Sequence, residues 1–338
     1  MTLKLTRRQA LIGLSTSCAA LALTSGWAVA QTNSLRIGTS STGSVFYTLG
    51  VGAGEIIRDV TGINTTVEPV GGSAANVNAI ARGDIDMAIA NSFAAFSGYM
   101  GQHAFKKPID LRLAVQGQSS YRWIFVRSDA GIKTPKDLEG KTVIGARASL
   151  PELSEIMAAL IAEFDLDESK INVVSTGNSK ESIEAIRTGT VDAIIMPYSP
   201  RAGNIEKAMS DGAMVPLVIS AKERDAVLAR LPEAFFSIDQ SAEMFSNQPS
   251  VVPLVALKSY LITSPQVDED AIYSATKAML ENVERFGTFH AAGKRWTLKN
   301  TLSDPALPFH EGSIRYFKEI GVWTDELETT QRRLLSRS

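Results

Sequence analysis

The residues best suited to chemistry in this chain are serines, threonines and asparagines in four short loops. These loops are residues 39–44, 71–76, 91–92 and 146–149, and each follows a stretch that predicts a β-strand. Three of them also precede a predicted helix, whose first turn presents unpaired N–H groups and partial positive charge. Hydroxyl and amide groups beside such a turn suit the binding of a carboxylate or phosphate. The alternative is that these side chains only cap their helices.

Arg147 is the residue in these loops whose charge best suits an anion. Its guanidinium follows the predicted strand 142–145, where it could grip a carboxylate through two parallel hydrogen bonds. A solvent-exposed surface arginine is the competing interpretation, and Arg122 has a weaker claim to the same role. Three tyrosines could line the site or belong to the core: Tyr47, Tyr121 and Tyr198.

The sequence contains no arrangement typical of catalysis. Its three histidines lack metal-ligand spacing, and no Gly-x-Ser-x-Gly sequence marks a serine nucleophile. The single cysteine, Cys18, lies near the N-terminus in a predicted export signal. Asp86 and Asp192 occupy equivalent places before two predicted strands, and we interpret both as structural. We therefore expect a protein that is not an enzyme and that holds no metal and no cofactor.

A duplication supplies the elements that position these loops. Residues 67–89 align without a gap onto residues 173–195, 106 residues further along. Each copy has an apolar strand, a Gly-x-Ser turn, an amphipathic helix, a Gly-x-[Ile/Val]-Asp turn and a second strand, which is typical of a βαβ unit. A further strand precedes each copy, at 35–38 and 142–145. The pattern predicts two similar α/β lobes with a ligand held between them at the carboxyl ends of the strands.

Hydrophobic periodicity predicts the remaining elements. Further strands are expected at 64–70, 87–90, 111–117, 123–127, 172–175, 193–196 and 251–264, and helices at 45–60, 74–82, 151–164, 179–188, 201–211 and 269–286, with a helical C-terminal portion. A chain that enters the second lobe once and returns once needs two hinge strands, predicted near 121–127 and 251–258. We accordingly assign 31–121 and 256–338 to one lobe and 122–255 to the other.

The first 30 residues predict a secretory signal. Lys4, Arg7 and Arg8 precede an apolar run, and Ala28 and Ala30 form an A-x-A cleavage site. Export by either the twin-arginine or the general route fits this segment, and a membrane anchor is the alternative. Removing its three cations leaves 31 of the 34 basic side chains against 36 acidic ones, which argues against a nucleic-acid partner. We expect a periplasmic monomer.

Several stretches resemble the TAXI family of solute receptors for TRAP transporters. They are residues 37–47, 72–77, 80–89, 128–141 and 307–313. The resemblance implies the type II periplasmic binding protein fold, with two α/β lobes joined by two hinge strands and a ligand cleft between them. It also implies a receptor that captures a small carboxylate-bearing solute, such as a dicarboxylate or an amino acid such as glutamate, and delivers it to TRAP permease subunits. A receptor for a sensor or another transporter, and a secreted enzyme on this scaffold, are the alternatives.

The resemblance also implies ligand contacts from the first lobe, at Thr42, Gly43, Tyr47, Ser73, Asn76 and Asn91. The second lobe departs from the family at 146–149, where a Gly-Ser-Gly-Thr-like loop is usual, and at 196–201, where an aromatic and Gly-rich stretch is usual. Those departures leave room for a ligand with an extra carboxylate facing Arg147. The predicted ligand-binding residues are Ser41, Thr42, Gly43, Tyr47, Ser73, Asn76, Asn91, Ser92, Gln118, Arg147, Ala148, Ser149 and Tyr198.

Overall fold

The computed structural model describes residues 34–337. The predicted export signal and Cys18 lie outside these residues. The described chain begins with β1 (Ser34–Thr39), α1 (Val45–Thr61), β2 (Asn64–Pro69), α2 (Ser73–Arg82), β3 (Met87–Asn91) and α3 (Ser92–Met100). We call residues 34–100 the first repeat. The long strand β4 (Arg112–Arg127) follows it.

Residues 142–210 form the second repeat, which has the same element order. It contains β5 (Thr142–Ala146), α4 (Glu152–Glu163), β6 (Asn172–Ser175), α5 (Ser179–Arg187), β7 (Ala193–Tyr198) and α6 (Gly203–Ser210). The remaining elements are β8 (Met214–Pro216), α7 (Ala221–Leu228), β9 (Phe235–Gln240), β10 (Val252–Thr263), α8 (Glu269–Glu281), α9 (Val283–Phe289), α10 (Leu298–Leu302), α11 (Glu311–Glu319) and α12 (Asp325–Leu335). Short 3₁₀ helices occur at Pro135–Leu138, Glu168–Lys170 and Ala291–Arg295.

One mixed sheet contains all ten described strands. Its order is β2-β1-β3-β10-β4-β7-β5-β6, with β8 paired to β4 and β9 paired to β10. Strand β1 is parallel to β2 and β3, and β5 is likewise parallel to β6 and β7. The predicted duplication is therefore confirmed as two copies of one three-stranded arrangement. Both copies turn at an equivalent glycine with positive φ, 74° at Gly83 and 73° at Gly189, a conformation that glycine adopts without strain.

Strands β4 and β10 join the two repeats. Asn91, the last residue of β3, pairs with Ser259 in the middle of β10. Tyr198, the last residue of β7, pairs with Tyr121 in the middle of β4. Both pairings are antiparallel, as is the pairing of β4 with β10. Consequently the carboxyl ends of the parallel strands of both repeats point toward the middle of this strand pair.

Three features of the fold differ from the sequence-based expectations. The predicted strands 111–117 and 123–127 are one continuous strand, β4, because the residues between them pair with β10. The predicted helix 269–286 is divided at Asn282, whose backbone leaves helical geometry (φ −121°, ψ 34°). Elements α3, β8, α7 and β9 were not predicted, and three of them have eight or fewer residues.

Asp86 and Asp192 have the structural role expected of them. Asp86 accepts hydrogen bonds from the backbone N–H and the guanidinium of Arg36 in β1. Asp192 accepts them from the backbone N–H of Thr142 in β5 and from the side chain of Arg127. Each aspartate lies just before the third strand of its repeat and is hydrogen-bonded to the first strand of that repeat. Within residues 34–337, the helices lack the length and apolar character that crossing a bilayer requires.

Candidate functional site

A buried group of charged and amide side chains lies where the two repeats meet. It consists of Asn91, Arg122, Arg147 and Glu152, which we call the junction cluster. Asn91 is 2% exposed, Arg122 3%, Arg147 6% and Glu152 0%. Charged side chains are rarely buried to this extent unless they are paired or used. The burial of these side chains therefore calls for a structural or functional explanation.

Glu152 connects the members of the junction cluster. Its Oε1 accepts hydrogen bonds from Asn91 Nδ2 (3.0 Å), Arg122 Nη2 (3.0 Å) and Arg122 Nε (3.2 Å). Asn91 belongs to the first repeat, Glu152 to the second, and Arg122 to the strand that joins them. One carboxylate oxygen of the second repeat thus bonds to the first repeat and to the joining strand. The other oxygen, Oε2, is buried without a hydrogen-bond partner in the protein.

Local structure explains how Glu152 and Asn91 reach each other. Glu152 is the first residue of α4, where a negative charge is favoured by the helix dipole. Asn91 ends β3 and caps α3, its Oδ1 accepting the N–H of Ala94 at 2.8 Å. Because the amide oxygen is engaged at the helix, the amide nitrogen of Asn91 turns toward Glu152. A capping residue is in this case also a cross-repeat contact.

Arg147 lies in the loop between β5 and α4, five residues before Glu152. Its Nη1 donates to Ser179 Oγ and its Nη2 to Ser182 Oγ, both at 3.2 Å, while Nε is buried without a partner. Both serines belong to α5, at positions equivalent to Ser73 and Asn76 of the first repeat. The interpretation of Arg147 as a solvent-exposed surface residue is therefore wrong, because the side chain is held against α5.

The charges of the junction cluster act on one another. Burial lowers the pKa of Arg147, the positive charge of Arg122 lowers it further, and the negative charges of Glu152 and Glu181 oppose both effects. Burial also lowers the pKa of Arg122, and the charge and hydrogen bonds of Glu152 oppose that change. Arg122 is therefore the cation bonded to Glu152, whereas Arg147 is a second buried guanidinium whose hydrogen bonds go to Ser179 and Ser182. The buried guanidinium of Arg147, whose Nε has no acceptor in the protein, therefore suits an anion beside it.

The predicted first-repeat residues fall into two groups. Ser73 is brought to the junction cluster, since its Oγ accepts the backbone N–H of Asn91 at 3.0 Å. Asn76 is fully buried, and its Nδ2 donates to the carbonyl of Ile89 at 2.8 Å. The loop residues Ser41, Thr42 and Gly43 are exposed, and Tyr47 is half-buried on α1. Among them, Ser73 and Asn91 are joined by a hydrogen bond.

Two other predicted residues, Ser92 and Gln118, have their polar groups engaged in the protein. Ser92 Oγ donates to the carbonyl of Ala234 (2.9 Å) and accepts the N–H of Lys258 (3.0 Å). Gln118 Oε1 accepts the indole N–H of Trp296. In the loop that carries Arg147, Ala148 and Ser149 are exposed. These contacts give Ser92 and Gln118 a part in holding neighbouring segments together.

Tyr198 has the surroundings of a core residue. Its hydroxyl donates to Gln240 Oε1 at 2.9 Å, and its ring centroid lies 5.5 Å from that of Tyr121 and 5.1 Å from that of Phe125. Burial raises the pKa of Tyr198 well above its ordinary value. The packing favours the core alternative of the sequence-based interpretation for Tyr198 and Tyr121.

Glu152 is the principal residue that sequence reasoning missed. It follows Pro151 at the start of a predicted helix, and acidic residues are so common there that the position gave no signal. Arg122 has only the weaker claim in the sequence and is not among the predicted ligand-binding residues. Among residues 34–337, no three His, Cys, Asp or Glu side chains are grouped so that they could hold a metal ion.

Comparisons with known proteins agree with this architecture. The family model described as the NMT1-like family matches residues 37–321. MatC from Rhodopseudomonas palustris, solved with bound malate, is 13% identical, with a TM-score of 0.51 over 87% of this chain and 98% of MatC. The periplasmic aliphatic sulphonate binding protein SsuA from Escherichia coli is 14% identical, with a TM-score of 0.47 over 90% of this chain and 86% of SsuA. At such identities the likeness concerns the fold alone, and the likeness to MatC supports the mixed α/β fold described above.

Proposed function

The chain belongs to the NMT1-like family, and on that premise we propose that it is a periplasmic receptor for a small carboxylate-bearing solute. The observation that carries the proposal is the charge of the junction cluster. Arg122 and Arg147 are both buried, and Glu152 is the buried carboxylate beside them, whereas Glu181, whose charge also acts on Arg147, is exposed. A ligand carboxylate beside Arg147 would balance the remaining positive charge and give Nε an acceptor.

The position of the junction cluster supports binding between two lobes. We assign residues 31–121 and 256–338 to one lobe and 122–255 to the other, with β4 and β10 as the hinge strands. The hydrogen bond between Asn91 and Glu152 connects the two repeats beside the middle of these strands. A ligand bound there would contact both lobes, and its arrival and release would require them to close and open.

We further propose that the receptor is of the TAXI type and delivers its solute to TRAP permease subunits. The support is the resemblance of five stretches of the sequence, and the N-terminal segment supports export to the periplasm by the twin-arginine or the general route. The departures of the second repeat from the family, at Arg147 above all, concern the solute rather than the transporter. MatC, solved with malate, shares the fold and does not decide the ligand of this chain.

Binding without turnover fits the side chains of the junction cluster. Arg122, Arg147 and Asn91 offer N–H donors, and Glu152 is held by two of them. None of these four side chains is a serine or cysteine nucleophile paired with a base. The cluster therefore fits binding better than catalysis. The alternatives that experiment must distinguish are an enzyme on this scaffold and a receptor for a sensor or another transporter.

Calorimetric titration of the purified protein tests the proposal. The protein is first unfolded and refolded to remove co-purified solute, then titrated with monocarboxylates, dicarboxylates and amino acids. We expect one-to-one binding of a carboxylate with a dissociation constant of about 1 μM, roughly −8 kcal/mol. Arg147→Ala should weaken it, whereas Arg82→Ala, at an exposed ion pair on α2, should not. The absence of binding across the panel would refute the proposal that the protein is a receptor for a carboxylate-bearing solute.

A further inference from the structure

We propose that the solute carries a protonated amine as well as a carboxylate, and that Glu152 Oε2 accepts the hydrogen bond of this amine. The solute would then be an amino acid rather than a simple mono- or dicarboxylic acid. This inference rests on the proposed function, since it specifies the ligand of the same site.

The two oxygens of Glu152 have different surroundings. Oε1 accepts three hydrogen bonds, from Asn91 and from two nitrogens of Arg122. Oε2 accepts none, although the whole residue is 0% exposed. A buried carboxylate oxygen is rarely left without a donor, because the loss of its hydration is then uncompensated. A donor from outside the protein, above all a cationic one, would satisfy it.

Arg147 carries a buried hydrogen-bond donor without an acceptor. Its Nη1 and Nη2 donate to Ser179 and Ser182, but its Nε–H is buried without an acceptor. Arg147 and Glu152 stand at the two ends of the same short loop between β5 and α4, and the charge of Glu152 acts on the guanidinium of Arg147. An unpaired donor and an unpaired acceptor thus belong to the two ends of one short loop at the junction of the repeats.

The unpaired donor of Arg147 and the unpaired acceptor of Glu152 together suit a zwitterion. A ligand carboxylate can accept from Arg147 while its ammonium group donates to Glu152 Oε2. A dicarboxylate without an amine would satisfy Arg147 but leave Oε2 unpaired, and its second negative charge would add repulsion near Glu152. The chemistry of the site therefore favours a molecule that carries charges of both signs.

Glu152 would also link recognition to closure. Its Oε1 holds Asn91 of the first repeat and Arg122 of the joining strand, while Oε2 would hold the ligand. An amine bound at Oε2 fixes the carboxylate in the orientation that Asn91 and Arg122 require. Glu152 is in this account a specificity-determining residue that contacts the ligand and both repeats.

Matched pairs of probes test the inference. The refolded protein is titrated with L-glutamate and glutarate, which differ by the amine, and with L-alanine and propionate, which differ in the same way; malate represents the amine-free hydroxy acids. We expect the better-binding amino acid to exceed its amine-free partner about 10- to 100-fold, the effect of a hydrogen bond between charged groups.

Glu152→Gln tests the residue itself. Glutamine has the size of glutamate and keeps an oxygen for Asn91 and Arg122, but it replaces Oε2 by an amide group that cannot attract an ammonium ion. The preference for the amine should fall to within about threefold. Glu184→Gln, which removes the same charge from an exposed position on α5, should keep the full preference. Circular dichroism checks that each variant is folded.

The outcomes separate this inference from the proposed function. Amine-free acids that bind the wild-type protein as tightly as their amino partners would overturn the inference and leave a carboxylate receptor. A preference for the amine that survives Glu152→Gln would overturn the role of Glu152. If neither class of probe binds, the proposed function itself fails. The wild-type comparison needs no variant, so a poorly folded Glu152→Gln does not prevent the decision.

Discussion

Removing Arg122 should destabilise the fold because it takes away the only cation that is hydrogen-bonded to the buried carboxylate of Glu152 among residues 34–337. Both side chains are buried, with 4% and 1% of their surfaces exposed. In Arg122→Leu, Glu152 Oε1 loses two of its three hydrogen bonds and keeps the one from Asn91. Breaking a buried ion pair on one side typically costs about 3–5 kcal/mol. We expect the free energy of unfolding to fall by about that amount.

The double variant makes the prediction sharper. In Arg122→Leu/Glu152→Leu both members of the ion pair are absent, and Arg147 keeps its hydrogen bonds to Ser179 and Ser182. The amide of Asn91 loses its acceptor, which costs about 1–3 kcal/mol. The double variant should therefore be more stable than Arg122→Leu alone. Urea unfolding followed by circular dichroism gives the four free energies of the cycle. Arg82→Leu, at an exposed ion pair, is the control and should leave the unfolding midpoint unchanged.

Two results would refute this reasoning. If Arg122→Leu costs no more than the exposed control, Arg122 and Glu152 are not a buried ion pair. If the cost of the double variant equals the sum of the two single variants, the two charges do not depend on each other. Either result would also remove the basis for assigning Glu152 a central place in the site.

Three further predictions concern the scaffold. A Cβ at Gly117 would lie 2.2–2.4 Å from ring atoms of the buried Trp296, so Gly117→Ala should lower the free energy of unfolding by roughly 1–3 kcal/mol in urea titrations; an unchanged value would contradict this packing. Burial lowers the pKa of His310 to about 4, so its neutral form contributes stability that is full above about pH 6.5 and is lost as the pH falls toward 4. In His310→Asn, which retains an acceptor at the start of α11, the free energy of unfolding should depend less on pH in that range. An unchanged pH dependence would contradict this. Burial raises the pKa of Asp86, but hydrogen bonds from Arg36 and its positive charge outweigh burial and hold this pKa below its ordinary value. The carboxylate therefore stabilises the fold above about pH 4 and less below it, so the free energy of unfolding of Asp86→Asn should fall less in acid than that of the wild type. An equal fall in both proteins would count against the ion pair.

The sequence allowed the two repeats to be predicted almost element by element. The reason is that each βαβ unit is local, and its apolar strands, Gly-x-Ser turn and amphipathic helix carry separate signals within 23 residues. Strand β4 was divided into two because the polar residues 118–122 interrupt its apolar pattern. Those residues adopt a strand conformation because they pair with β10, which lies more than 130 positions away in the sequence. A local sequence pattern contains no information about such a distant partner.

The candidate site was predicted less completely, for a related reason. Arg147 was singled out because its type and its loop are visible in the sequence. Glu152 was not, because its importance comes from Asn91 and Arg122, which are distant in sequence and meet it only in the folded chain. Ser92 and Tyr198 had the expected residue types, but their polar groups are engaged with Ala234 and Gln240. Residue type and loop position alone do not distinguish a ligand contact from a contact within the protein.

Native mass spectrometry of the protein after exposure to a mixture of small organic acids and amino acids tests the central claim most directly. The account predicts a one-to-one complex that releases, on denaturation, a carboxylate-bearing molecule chemically identical to one supplied. The same complex should be depleted in Arg147→Ala and retained in Arg82→Ala. Release of a chemically altered molecule would indicate an enzyme, and capture of a solute without a carboxylate, or of none, would contradict the account.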